Sequence, residues 1–156
     1  MSPADPDDAT ATAIQVEAFI ERFTPEIAER VRAARTVLRD RLPGVTELVY
    51  DNYNGLAIGY GPGEKTSEAV FSLAIYPRNV LVYFLPGVGL PDPEGLLLGE
   101  GKLGRYVCLK DVALLDEPAI IALIEAALDR ATRPLPPVGG QTIVKSISAR
   151  QRPRRP

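Results

Sequence analysis

VLVYFLPGVGLPDPEGLLLGEGKLGRYVCLK, residues Val80 to Lys110, is the stretch around which the rest of the chain arranges itself. Val80 to Leu85 are β-branched, aromatic or Leu on both alternating registers, which predicts a central strand covered on both faces. Arg105 to Leu109 (RYVCL) reads as a second strand. Between them lie about twenty residues rich in Gly and Pro with neither helical nor alternating period, and a compact domain seldom keeps so long a loop without a use for it. Within it, GEGKLGR sets Gly99, Gly101 and Gly104 around Lys102 and Arg105. Backbone stripped of side chains approaches a ligand closely, here beside two cations, so Gly99, Gly101, Lys102 and Arg105 are candidate ligand contacts for a small anion.

Upstream of this stretch, the period falls to two from Val45 onward. TELVYD (Thr46 to Asp51) and LAIGY (Leu56 to Tyr60) flank Asn52-Tyr53-Asn54-Gly55, an Asn-Gly turn that tolerates positive φ, so they read as a hairpin. Asn52, Tyr53 and Asn54, following Asp51, offer polar heads for the rim of a small-molecule pocket, although turns also use Asn and Asp for backbone reasons. AVFSLAIY (Ala69 to Tyr76) follows, and Pro77-Arg78-Asn79 turns the chain tightly into the central strand. Connections this short require antiparallel neighbours.

Two helices precede the strands. Val16, Phe19, Ile20 and Phe23 recur at helical spacing. Thr24 and Pro25 then supply an N-cap and a first-turn proline for a second helix with Ile27, Val31, Ala34, Leu38 and Leu42 on its buried face, stopped by Pro43-Gly44. After the fifth strand, Asp116 is expected to cap a third helix with Pro118 in its first turn and Ile120, Leu123, Ile124, Ala127 and Leu128 facing the core. These readings predict an α+β domain over residues 13–132, an antiparallel sheet of about five strands with three helices packed on one face in the order α-α-β-β-β-β-β-α. Residues 1–12, rich in Pro, Asp, Ala and Thr, are expected to be a disordered leader. Residues 133–156 read as a linker, a possible edge strand over Gln141 to Ser148, and a mobile basic tail.

The composition excludes several kinds of chemistry. With 156 residues, 46% of them apolar, the chain makes one soluble domain. It contains no histidine, which removes His-dependent nucleophile systems, His-ligated zinc and non-haem iron, and the usual neutral-pH base. No catalytic residue, metal ligand or cofactor is assigned. The single cysteine, Cys108, excludes an internal disulfide and suits a reducing cytoplasm. There is no apolar run long enough for a membrane span.

The net charge of −2 hides an asymmetry: the last twelve residues hold five bases and no acid, so taking their +5 from the total leaves −7 on residues 1–144. Arg150, Arg152, Arg154 and Arg155 offer a route to nucleic acid or an acidic partner, weak without interleaved aromatics. GYGPGEKT (Gly59 to Thr66) fails as a P-loop, because Glu64 replaces the second glycine and a strand follows instead of a helix.

Pro25-Glu26-Ile27 opening a helix, Leu42-Pro43-Gly44 closing it, YFLPG (Tyr83 to Gly87), DPEGLL (Asp92 to Leu97) and GEGK (Gly99 to Lys102) with Arg105 together resemble the YdhG-like family, domain-of-unknown-function family 1801, over roughly Glu17 to Ala131. That resemblance implies a small cytoplasmic α+β domain without a settled activity, some members being labelled frataxin-like iron chaperones. Many relatives carry a Trp or Tyr, a Gly and a Pro-x-Phe group in the first hairpin, where this chain has Val49 to Gly55, so its ligand is expected to differ. An iron carrier without His would need clustered carboxylates. Glu17, Glu21, Glu26 and Glu29 lie on the first two helices, but arginines separate them. The leading expectation is therefore non-enzymatic binding of a small anion under the loop between the fourth and fifth strands. An interaction module using the basic tail and an oxygen-ligand iron carrier are the alternatives.

Overall fold

A computed structural model describes residues 6–156. Three helices, α1 (Pro6–Glu21), α2 (Pro25–Arg41) and α3 (Pro118–Asp129), accompany six strands: β1 (Thr46–Asp51), β2 (Leu56–Gly61), β3 (Phe71–Ile75), β4 (Val80–Phe84), β5 (Arg105–Cys108) and β6 (Thr142–Ile147). Short 3₁₀ turns occupy Thr66–Glu68 and Val112–Asp116. The sheet order is β5-β4-β3-β2-β1-β6. The architecture is α+β, as the patterning implies, but the sheet is mixed: β6 joins β1 in parallel. Parallel pairing needs a long crossover, and the chain makes one by leaving β5 at one edge, running through α3, and returning beside β1 at the other.

The antiparallel register explains the core. Val49, Ile58, Leu73, Val82 and Val107 lie opposite one another across five strands, and Tyr60, Phe71 and Phe84 form the next row. The Tyr60 and Phe71 rings stack at 5.1 Å between centroids. Against these rows pack Val16 and Ile20 of α1, Ile27, Val31 and Leu38 of α2, and Ile120, Leu123 and Ile124 of α3, all buried. Each such side chain contributes about 1.5–3 kcal/mol of burial. β4 alternates instead of burying both faces: Val80, Val82 and Phe84 are buried while Leu81 and Tyr83 are half-buried, because the helices cover only one face.

Four expectations need correction. Residues 6–12 belong to α1 rather than to a disordered leader, continuing the helix that Val16 and Ile20 anchor; the rest of that leader, residues 1–5, lies outside the described residues. α3 begins at Pro118 with Glu117 at its N-cap, since Asp116 closes the preceding 3₁₀ turn and pairs with Arg41 at 2.8 Å. Gly55 does not use positive φ. A side chain there would meet the Ile75 carbonyl oxygen at 2.4 Å, so the glycine serves close packing of two turns. The fourth is the basic tail, which is folded onto the domain. Among the described residues no helix is long and apolar enough to cross a membrane.

Candidate functional site

The register separates the two groups of candidate contacts. Asp51, Leu56, Ile75 and Val80 mark one end of the sheet, and Glu47, Tyr60, Phe71, Phe84 and Arg105 mark the other. Asn52, Tyr53 and Asn54 sit at the first end. Gly101 and Arg105 sit at the second, so the two groups do not share a site.

At the second end, the long loop has a structural use. Leu98 and Tyr106 exchange backbone hydrogen bonds of 2.8 and 3.0 Å, which pairs off part of the exposed edge of β5. The Asp92 carboxylate accepts from the backbone N–H groups of Leu96 and Leu97 at 2.8 and 2.9 Å. Leu90 is buried, and Leu96 and Leu97 pack against the core. Arg105 turns its guanidinium inward and donates to the carbonyl oxygens of Gly101 and Gly104 at 2.5 and 2.6 Å. Gly104 has a packing reason as well, since a Cβ there would fall 1.8 Å from the Tyr83 hydroxyl. Lys102 is exposed, and nothing lies within 4 Å of where a Gly101 Cβ would be.

The first end holds a concave site built from three segments: the β1–β2 turn (52–55), the β3–β4 turn (76–79) and the C-terminal stretch from Ser148. The stretch is held down by backbone bonds from Ser148 N–H to Asp51 O at 2.8 Å and from Arg152 N–H to Tyr53 O at 2.9 Å. Arg154 fastens it. Its side chain is 1% exposed, and its Nη2 donates to Asp51 Oδ1 at 2.9 Å and to the Asn52 carbonyl at 2.5 Å. Asp51 accepts further bonds on Oδ2, from Gln151 Nε2 at 2.8 Å and Arg22 Nη1 at 3.5 Å. Arg155 donates to the carbonyls of Arg22 and Glu21 at 3.1 and 3.3 Å, pairing orphan acceptors where α1 ends. The sequence pattern made this segment look mobile because its proline and mutually repelling charges argue against self-structure. Asp51 with the Asn52 and Tyr53 carbonyls takes up Arg154, and the Glu21 and Arg22 carbonyls take up Arg155.

The fold leaves a cavity of about 950 Å³ between this segment and the β3–β4 turn. Arg78, Arg152 and Arg155 line it together with Asn54, Tyr76 and Asn79, and among the described residues neither Asp nor Glu lines it. Among the described residues Arg78 and Arg152 find no side-chain hydrogen bond or ion pair; the Arg152 guanidinium instead lies 6.0 Å from the centroid of the Tyr53 ring. A second cavity of about 450 Å³ adjoins it, sharing Asn54 and Tyr76 and bounded further by Asn52, Tyr53 and Ser148. Gly99, Gly101, Lys102 and Arg105 line neither. Asn52, Tyr53 and Asn54 thus lie on a concave surface, and Tyr76, Arg78 and Asn79 join them unforeseen. Pro77-Arg78-Asn79 carried only a turn signal, and no local pattern tells that such a turn will face an arginine over seventy residues downstream.

A second buried charge lies at the opposite end of β1. Glu47 is 1% exposed and accepts from Arg35 at 2.9 and 3.0 Å, from the Tyr60 hydroxyl at 2.7 Å and from the Thr142 hydroxyl at 2.7 Å. Burial alone would raise the Glu47 pKa, but the hydrogen bonds and charge of Arg35, with the bonds from Tyr60 and Thr142, outweigh it and hold the carboxyl below its ordinary value. Burial first, then the Glu47 charge and hydrogen bond, push the Tyr60 phenol well above its ordinary value. The cluster ties α2, β1, β2 and β6 together, each member having its partner inside it.

Among the described residues no group of three or more Asp, Glu or Cys side chains is placed to hold a metal ion. Glu17 pairs with Arg32 and Glu26 with Arg30. Comparisons of the chain with models of protein families, with characterised proteins and with solved structures find no match. The likeness to YdhG-like proteins therefore rests on short motifs alone.

Proposed function

We propose that this chain is a cytoplasmic, non-enzymatic binding domain for a small anionic ligand, and that the ligand sits in the cleft between the β3–β4 turn and the C-terminal segment. The supporting observation is one of charge. In a protein with 20 acidic and 18 basic residues, a cavity of about 950 Å³ is lined by three arginines and, among the described residues, by no Asp or Glu side chain. Among the described residues two of those guanidinium groups have no anionic partner, and planar guanidinium is the side chain best suited to bidentate capture of carboxylate or phosphate. Its size lies in the range of small-molecule sites. The long β4–β5 loop, where the sequence alone would place the ligand, has its Arg105 engaged with its own carbonyls and is the weaker location.

Thermal unfolding in phosphate, sulfate and citrate, each matched against chloride at equal ionic strength to remove simple screening, tests the proposal. An anion at ten times its dissociation constant adds about 1.4 kcal/mol, or about 3–6 °C for a chain of this length. The Arg78→Ala, Arg152→Ala double variant should lose that response while the Lys102→Ala variant keeps it. Equal responses from the double variant and the unaltered protein would reject the cleft.

A further inference from the structure

The cationic cleft has a neighbour. Asn54 and Tyr76 line both it and a second cavity of about 450 Å³, so the two are halves of one surface that meet at those residues. The halves differ in chemistry. The second contains no charged side chain; it presents the Tyr53 and Tyr76 rings, the Asn52 and Asn54 amides and the Ser148 hydroxyl over a floor that includes Ala57 and Ala74. Ala57 and Ala74 are cross-strand partners, and their small side chains leave flat, open space above the sheet. Tyr53 is 48% exposed and Tyr76 38% exposed, so part of each ring is open to solvent, although the Tyr76 ring lies against Gly55. Arg152 joins the halves, lining the cationic one while lying 6.0 Å from the Tyr53 ring centroid.

Resting on the anion site proposed above, we infer that the ligand is a phosphorylated heterocycle of the nucleoside diphosphate class, with its phosphates among Arg78, Arg152 and Arg155 and its base against Tyr53 and Tyr76. A simple inorganic anion would use only the arginines and leave two exposed rings and two amides idle. An aliphatic carboxylate would find no apolar tunnel in the second half. A flat heterocycle stacks on a phenol ring, and asparagine amides, carrying both donors and acceptors, match the mixed edge of a base. Stacking tolerates any base, so the class is set by the combination of ring and phosphate and not by one particular base.

Calorimetric titration at constant ionic strength with the four common nucleoside diphosphates, pyrophosphate and adenosine tests this. At least one diphosphate should bind about tenfold or more tightly than pyrophosphate, the gain expected from a stacked base. Tyr53→Ala with Tyr76→Ala should erase that preference while pyrophosphate still binds, weakened far less than by Arg78→Ala with Arg152→Ala, which should weaken both probes. Because both tyrosines are exposed, an unchanged unfolding midpoint certifies the fold of the first variant. If pyrophosphate binds and no nucleoside diphosphate exceeds it, the base pocket is wrong and the anion site stands. Diphosphate preference that survives the tyrosine substitutions overturns the inference as well. Failure of every phosphate probe removes both proposals, as does binding of a single-stranded oligonucleotide without any mononucleotide.

Discussion

Replacing Arg154 with Met is the most informative perturbation of the fold that builds the cleft. Arg154 and Asp51 are 1% and 2% exposed and meet at 2.9 Å, and removing one partner of such a pair strands the other charge away from water, at about 3–5 kcal/mol. Two features place the expected loss at the lower end. Asp51 keeps Gln151 and Arg22 on its Oδ2, so only Oδ1 loses its partner. The arginine's own Nε is buried without an acceptor, and its removal relieves a penalty of about 1–3 kcal/mol. Against this, the guanidinium lies 5.8 Å from the Phe23 ring centroid and bonds the Asn52 carbonyl, contacts that Met replaces only in part. A loss of about 3 kcal/mol follows, or about 6–12 °C in midpoint. Urea unfolding at neutral pH gives the free energy directly. The Asp51→Asn, Arg154→Met double variant should recover a good part of the loss, because no uncompensated charge is then left inside. A single-variant loss below about 1 kcal/mol, the range of exposed ion pairs, would refute the reasoning. So would a double variant as unstable as the two singles added together.

Other consequences can be checked independently. Glu47 has a folded pKa below its unfolded value of about 4.3, so its contribution is present above that pH and is lost as pH falls through the folded value. The stability difference between the unaltered protein and Glu47→Gln should therefore shrink on acidification below about pH 4, and parallel curves by urea unfolding would count against the cluster. Gly44→Ala would put a Cβ 1.5 Å from the Pro136 carbonyl oxygen, backbone that cannot swing aside, and should cost about 1–3 kcal/mol. Gly101→Ala, with nothing within 4 Å of the added carbon, should stay within about 0.5 kcal/mol in the same assay.

Much of the architecture was legible in the chain because it rests on local periods. The helical stripe from Ile27 to Leu38, the Thr24 cap, whose Oγ1 accepts from Ile27 N–H at 3.4 Å, and the two tight turns at 52–55 and 76–79 each need only nearby residues to be understood. The glycines of the long loop were equally visible, yet their meaning was not. Gly104 is small because Tyr83 lies against it, a neighbour some twenty positions back that enters only when β4 and β5 pair.

The candidate site divides along the same line. Asn52, Tyr53 and Asn54 could be named from the turn they form, but their separation from Lys102 and Arg105 depends on which end of the sheet each connection reaches. Residue pattern by itself established an α+β domain without histidine chemistry, with its strands up to β5 in antiparallel order. Tertiary structure alone decided that β6 enters in parallel, that the arginine-rich end is clamped through Asp51, and that Arg78 faces Arg152 across a cleft. Periodicity reports which face of an element is apolar; it carries no information on where a buried carboxylate will draw a distant cation, because that pairing is settled by the desolvation of both groups in the assembled fold.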